Sequence, residues 1–219
     1  MLIKSLSRSE SGDKKAAANA LVGMGVAAFP ALVELLEGKD DDLRITAANI
    51  IEKMSDKGVT DLALLTKYLK DPNKKVRNRM AWSLLRLGTR AEKAIPALAI
   101  ALGAADDYTR SCSRRALVKQ GVKAVPALAK ALQSPQPIVR QNALLALGEL
   151  GPLAKGAVPD LVVILSDNTS YLRIRAAMTL GKIGPSAKAA EPALIEATKQ
   201  SDKELKLEAF KALDKIRGK

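Results

Sequence analysis

The sequence predicts an all-α protein, a right-handed α-solenoid of about seven helical hairpins that runs through residues 1–219 as a single domain. Three observations carry that reading. The stretch Pro126–Gly151, PALAKALQSPQPIVRQNALLALGELG, fits the chain six more times, which is the mark of a repeat architecture. A basic residue holds the same place in every copy (Lys14, Arg44, Arg77, Arg110, Arg140, Arg173 and Lys206), at intervals of 30 or 33 residues. Hydrophobic residues make up 47% of the chain and aromatic ones only 3%, so the core has to be built from Ala, Leu, Ile and Val packed between close helices.

Each copy reads as a helix A, a polar break and a helix B. With the basic landmark as position 2 of helix B, apolar residues fall at positions 1, 5, 8, 9 and 12, a stripe of helical period. Around Arg140 these are Val139, Ala143, Ala146, Leu147 and Leu150. Glycine at position 13 (Gly25, Gly88, Gly121, Gly151, Gly184) ends helix B as a C-cap.

The units are expected at about 1–25, 26–58, 59–91, 92–121, 122–154, 155–187 and 188–219. The first starts inside its helix A, because Leu2 and Leu6 match Leu128 and Leu132. The second places Pro30 in the first turn of helix A, where a missing N–H leaves no intrahelical bond unmade, and Asp40 as the N-cap of helix B. In the third, Ala63 replaces that proline and Asn73 caps. The fourth has Pro96 and Asp106 in register but departs from the pattern at Ser113 and Arg114. Position 6 faces the adjoining repeat, so the Arg114 charge must snorkel out or find a partner there. Pro126 opens the fifth unit, and Gln136 followed by Pro137 starts its helix B. In the sixth and seventh, Pro159 and Pro192 are preceded by Pro152 and Pro185, which suggests a helical turn kinking into helix A. Thr169 and Asp202 are the expected caps. The last helix, ELKLEAFKALDKIRGK, suits the end of a stack except at Phe210, which sits at position 6 with no following repeat in the sequence. Phe210 either folds inward, meets a second molecule, or marks a cut from a longer array.

A net charge of +13 and a pI near 9.9 favour acidic partners: nucleic acid, an anionic membrane surface or an acidic protein. The chain has no histidine, which excludes Ser-His-Asp and Cys-His catalysis and any His-ligated metal. Its one cysteine, Cys112, excludes an internal disulfide and reads as a bystander thiol, although Arg114 and Arg115 nearby would lower its pKa somewhat. No metal or cofactor is expected. Gly23–Ala28 matches a loose GxGxxA but follows a helix rather than a strand, so it reads as a helix end. Asn168-Thr169-Ser170 reads as turn chemistry, and Glu37 with Asp40, Asp41 and Asp42 as a solvated turn. The N-terminus lacks the apolar core of a signal peptide, and no run approaches the ~18 apolar residues of a membrane span, so a cytoplasmic protein with no membrane span is expected.

The proline-led opening of helix A, the polar turn, and the Arg, Ala, Leu and Gly spacing of helix B, as in AVPALAKALQSPQPIVRQNALLALGELG, resemble HEAT repeats, particularly the short bacterial kind labelled bilin-lyase-like. The resemblance covers essentially the whole chain. It implies that the landmark residues (Lys14, Arg44, Arg77, Arg110, Arg140, Arg173, Lys206) form a structural ladder tying neighbouring repeats together, with Asp71 and Asp167 as partners for Arg77 and Arg173. It implies a B-helix concave surface as the binding face. It also brings an enzymatic class, the DNA glycosylases for alkylated purines and the phycobilin lyases. Arg86 rather than an acid follows Trp82 at i+4, which speaks against the former.

On a helical wheel, positions 3, 7 and 11 point away from the core, with position 4 on the shoulder. Position 7 reads Asn49, Trp82, Arg115, Leu145, Met178 and Lys211. Trp82 has Arg79 and Arg86 within one turn, Arg115 and Lys119 at matching places on the next B helix, and Leu145, Met178 and Lys182 beyond. An aromatic anchor, aliphatic neighbours and a cationic rim suit an acidic-hydrophobic peptide. The expected function is therefore a non-catalytic protein-binding scaffold. Two alternatives stay open: Trp82 plugs a gap between units, or the basic face (Arg79, Arg86, Arg115, Lys119, Arg175, Lys182) binds nucleic acid phosphates.

Overall fold

The structure, a computed structural model, describes residues 2–6 and 11–218. Met1, 7–10 and Lys219, which the expected seven-unit register includes, lie outside them. By its contacts the chain forms two compact units, Met1–Ala116 and Leu117–Lys219. The first contains α1 (Leu2–Leu6), α2 (Ser11–Met24), α3 (Phe29–Glu37), α4 (Asp41–Asp56), α5 (Leu62–Lys67), α6 (Lys74–Leu87) and α7 (Ile95–Ala101), and the division falls inside α8 (Asp107–Lys119). The second contains α9 (Val125–Ala131), α10 (Pro137–Leu150), α11 (Val158–Ser166), α12 (Arg173–Ile183), α13 (Glu191–Thr198) and α14 (Lys203–Arg217). Among the described residues every regular element is helical, and the fold is an α-solenoid.

Burial follows the stripe read from the sequence. In α6 Val76, Met80, Ser83, Leu84 and Leu87 are buried, and in α10 Val139, Ala143, Ala146, Leu147 and Leu150 are. Helices A and B of one copy pack on each other, as α3 does on α4 and α11 on α12, and B helices stack on B helices: α2, α4 and α6 in the first unit, α10, α12 and α14 in the second. Pro30, Pro96, Pro126, Pro159 and Pro192 all lie in the first turn of their A helices. The turns foreseen around Pro152 and Pro185 are tight 3₁₀ helices, Gly151–Ala157 and Gly184–Ala190. Gly151 opens its turn at φ 56°, a conformation that disfavours any residue with a Cβ.

The caps differ from expectation in two copies. Asp40, Asn73, Asp106 and Asp202 accept from the exposed N–H groups of their helices. Gln136 stands at the N-cap of α10 without a side-chain hydrogen bond, and Pro137 starts the helix as expected. Thr169 does not cap α12: the Asp167 carboxylate takes both the N–H and the hydroxyl of Thr169, and the helix begins later, at Arg173.

One further expectation needs correction. The stretch Gly12–Glu37 is, by length and composition, long and apolar enough to cross a membrane. Its hydropathy comes from an alanine-rich α2 running on into α3. The stretch is not one straight α-helix, since Gly25 turns to φ 58° between α2 and α3, and Leu21, Val22, Leu32, Leu35 and Leu36 are buried in the first unit.

Five landmark arginines close back over the end of their own A helix or the turn after it. Arg44 donates to Leu36 O, Arg77 to Asp71 O and Pro72 O, Arg110 to Ala104 O and Ala105 O, Arg140 to Ser134 O and Pro135 O, and Arg173 to Leu165 O. Three also reach the next copy. Arg44 pairs with the Asp71 carboxylate, Arg77 with Asp106 at 2.7 Å, and Arg140 donates to the Tyr171 hydroxyl at 3.1 Å while lying over its ring. Asp71 thus serves the preceding copy's arginine, whereas Arg77 takes only the Asp71 backbone. Lys14 and Lys206, at the two ends of the register, are exposed.

In the second unit the B helices approach closely through glycine. A Cβ on Gly181 would lie 3.0 Å from the Ala212 Cα and 3.2 Å from its Cβ, so α12 and α14 meet nearly backbone to backbone. At the equivalent Gly148 the tight contact would be with the flexible Lys182 stem, at 3.1 Å from Cδ, with the Thr179 hydroxyl at an ordinary 3.8 Å.

Alanine at either site gains about 0.5–1 kcal/mol of helix propensity. Gly148→Ala is expected to leave stability unchanged or raise it, because a lysine stem moves aside. Gly181→Ala is expected to lower it by about 1–3 kcal/mol, because a packed helix has to shift. Urea denaturation of both variants checks the opposite signs. A second test concerns the Arg77–Asp106 pair. Burial alone would push the Asp106 carboxyl up, but hydrogen bonds from Thr109 and from Arg77 outweigh it and hold it below its usual value. A depressed carboxylate contributes stability that is present above its unfolded value and is lost as pH falls through the folded one. Stability should therefore drop below about pH 4 more steeply in the wild type than in Asp106→Asn, as measured by denaturation at stepped pH.

Candidate binding faces of the B helices

The eight residues expected to bind a partner divide between the two units. Arg79, Trp82, Arg86 and Arg115 belong to the first; Lys119, Leu145, Met178 and Lys182 belong to the second.

In the first unit Trp82 is half-buried on α6, and the two arginines beside it are tied back to α4. Arg79 donates to Glu52 at 3.0 Å and Arg86 pairs with Asp56 at 3.1 Å. These ion pairs hold α6 to α4 and remove two of the four expected rim cations as free charge, leaving Arg115 exposed on α8. Asn49, ahead of Trp82 in the same column, is half-buried, and its Oδ1 is buried without a hydrogen-bond partner. The sequence reading passed over Tyr108, which is 48% exposed at the start of α8. A signal was present: Tyr108 stands two residues before Arg110, where the sixth copy has Tyr171, the tyrosine that Arg140 covers.

In the second unit the position-7 column stays open. Leu145 is 38% and Met178 42% exposed, and Leu207, at position 3 of α14, is 52% exposed. Lys182, Lys211 and Lys215 stand around Met178, and Lys211 pairs with Glu208 at 2.6 Å. Arg175 is exposed, as is Lys119. Position 4 is not uniformly a surface shoulder: Cys112 and Asn142 are buried there, the latter donating to Ile138 O. Phe210 does not fold inward and is 49% exposed.

The sequence profile described as HEAT repeats matches residues 29–118, 100–170 and 158–219. No curated protein matches the chain by sequence. Among solved structures, an engineered protein is 24% identical over 99% of this chain and 67% of its own, with a TM-score of 0.51. Human deoxyhypusine hydroxylase is 22% identical over 100% of this chain and 84% of its own, at 0.49. The complex of CpcE and CpcF, the phycocyanin lyase of Nostoc sp. PCC7120, is 23% identical over 98% of this chain and 93% of its own, at 0.45. The first of these likenesses is one of fold.

Cys112 is 2% exposed on α8. Burial pushes its thiol up, and the Tyr108 hydrogen bond and the Arg115 charge offset this only in part, so the lowering expected from neighbouring arginines does not prevail. The thiol should react with an aromatic disulfide reagent at least about a hundredfold more slowly in the native protein than in urea. Stopped-flow thiol titration measures the ratio.

Proposed function

The chain belongs to the HEAT-repeat family, and from that premise we propose that it is a non-catalytic interaction scaffold whose B-helix faces hold a segment of another protein. The observation that carries this reading is the column of apolar side chains left in solvent at Leu145 and Met178, where a face with no partner would be polar. In the first unit the half-buried Trp82, framed by the Arg79–Glu52 and Arg86–Asp56 pairs, supplies an aromatic anchor of the kind that dominates interfaces. With a net charge of +13 the favoured segment is acidic as well as apolar.

Nucleic acid is the competing partner for a basic face. Two of the six cations assigned to phosphate contact, Arg79 and Arg86, already neutralise Glu52 and Asp56, which favours the protein partner. Binding of single or double strands also falls steeply with salt, because each neutralised phosphate releases counterions.

The test compares partner capture from the source cell by wild type and by two double variants, Trp82→Ala/Arg115→Ala and Leu145→Ser/Met178→Ser, after nuclease treatment. Capture should fall at least about tenfold in one or both, the loss of an interface anchor, with the thermal midpoint shifted by less than about 4 °C. Capture that survives both variants, or that disappears with nuclease, would count against the proposal.

A further inference from the structure

We propose that the cleft between α12 and α14 in the second unit receives one carboxylate side chain of an acidic peptide, with an aliphatic neighbour of that residue lying on Met178. This rests on the peptide-binding reading of the B-helix face and gives it a location and a chemistry.

The cleft is lined by Met178, Gly181 and Lys182 from α12 and by Glu208, Lys211 and Lys215 from α14, over a floor that includes Ala212. Its volume, ≈ 50 Å³, suits one small polar head group, a water taking about 30 Å³ in the liquid. That is too small for a nucleobase, and no aromatic side chain lines it for a base to stack on.

Charge selects an anion. Three lysines and one carboxylate, Glu208, line it; Lys211 already holds Glu208 at 2.6 Å, so Lys215, with Lys182 at the edge toward α10, makes the positive excess. Their stems are laid down by glycine. Lys215 Cδ lies 3.7 Å from where a Gly181 Cβ would be, and Lys182 Cδ lies 3.1 Å from where a Gly148 Cβ would be, each stem resting on the preceding B helix. A lysine whose stem is packed loses less rotamer freedom on meeting an anion than one waving in solvent, which lowers the cost of binding. Beside the charges the 42%-exposed Met178 offers a flexible, polarizable apolar surface that adapts to an aliphatic side chain. Leu145 on α10 and Leu207 on α14 are exposed as well.

The probe is a fluorescein-labelled twelve-residue peptide of alternating Leu and Glu, its Gln-for-Glu counterpart, and a labelled oligothymidine, each titrated by fluorescence anisotropy. The Glu peptide should bind, and the Gln peptide should bind at least about tenfold more weakly. Lys215→Met should weaken the Glu peptide about tenfold, the loss of one charge-assisted hydrogen bond. Gly148→Ala keeps every charge but displaces the Lys182 stem, and should weaken it about threefold with the fold intact by circular dichroism. Glu-peptide binding that is unchanged in Lys182→Met, Lys215→Met and Gly148→Ala but lost in Trp82→Ala overturns the cleft and leaves the peptide-binding reading standing. Failure of both peptides overturns the cleft and counts against that reading, as does tighter binding of the oligothymidine.

Discussion

A guanidinium at the second position of helix B closes back over the end of helix A or the turn that follows it in five copies: Arg44 and Arg173 take a carbonyl of the last helical turn, and Arg77, Arg110 and Arg140 take carbonyls of the A–B turn. Carbonyls at a helix end and in the turn after it have no partner in a helix ladder, and leaving them unmet inside a packed stack would be costly. One side chain therefore ends helix A, sets the approach of helix B and, at Arg44, Arg77 and Arg140, reaches the neighbouring copy. The regular spacing of the basic landmarks reflects this geometry. It also accounts for arginine rather than lysine at the five interior places, since the fork offers several donors in fixed directions where an ammonium offers a point charge.

The same side-chain chemistry produces different surfaces in the two units. In the first, the cations on the B-helix face are partly internal: Arg79 and Arg86 are drawn back to Glu52 and Asp56 on α4, and Trp82 sits half-buried between the pairs. In the second, glycine at position 10 of α10 and α12 leaves room on each B helix for a lysine stem from the next, and these lysines line a cleft beside an open apolar side chain. The first arrangement is a braced surface around one aromatic residue; the second is a cationic cleft beside a flexible thioether. Both follow from which residue occupies one column of the repeat.

The buried hydroxyls of Ser83 and Ser113, together with Asn49 Oδ1, lie without hydrogen-bond partners in the first unit. Ser113 stands where most copies pack alanine, and it is fully buried. A buried hydroxyl without a partner costs more than the alanine it replaces, so this unit holds its B helices together less favourably at these places than the repeat pattern would allow. The ion pairs across α4 and α6 lie on the same helices as two of these groups and offset part of that loss.

Local rules made much of the fold legible. The helical period, the prolines of helix A, the caps at Asp40, Asn73, Asp106 and Asp202, and the glycines that end helix B are dictated by backbone sterics and by N–H groups within a few residues, and these are readable in one dimension. At two places the side-chain cap is missing: Gln136 holds the N-cap position without a hydrogen bond, and Asp167 captures Thr169. The columns of the B-helix face were legible as positions but not as surfaces. Whether Arg79 is free or paired depends on Glu52, one repeat away, and whether Cys112 is exposed depends on helices packed over it. What Gly148 and Gly181 do likewise depends on the neighbouring helix, which comes close enough at Gly181 to exclude a Cβ. Sequence by itself determined which residues share a face, because helical geometry repeats; only the tertiary structure decided which of them remain available, because pairing and close approach join residues that the chain separates by about thirty positions.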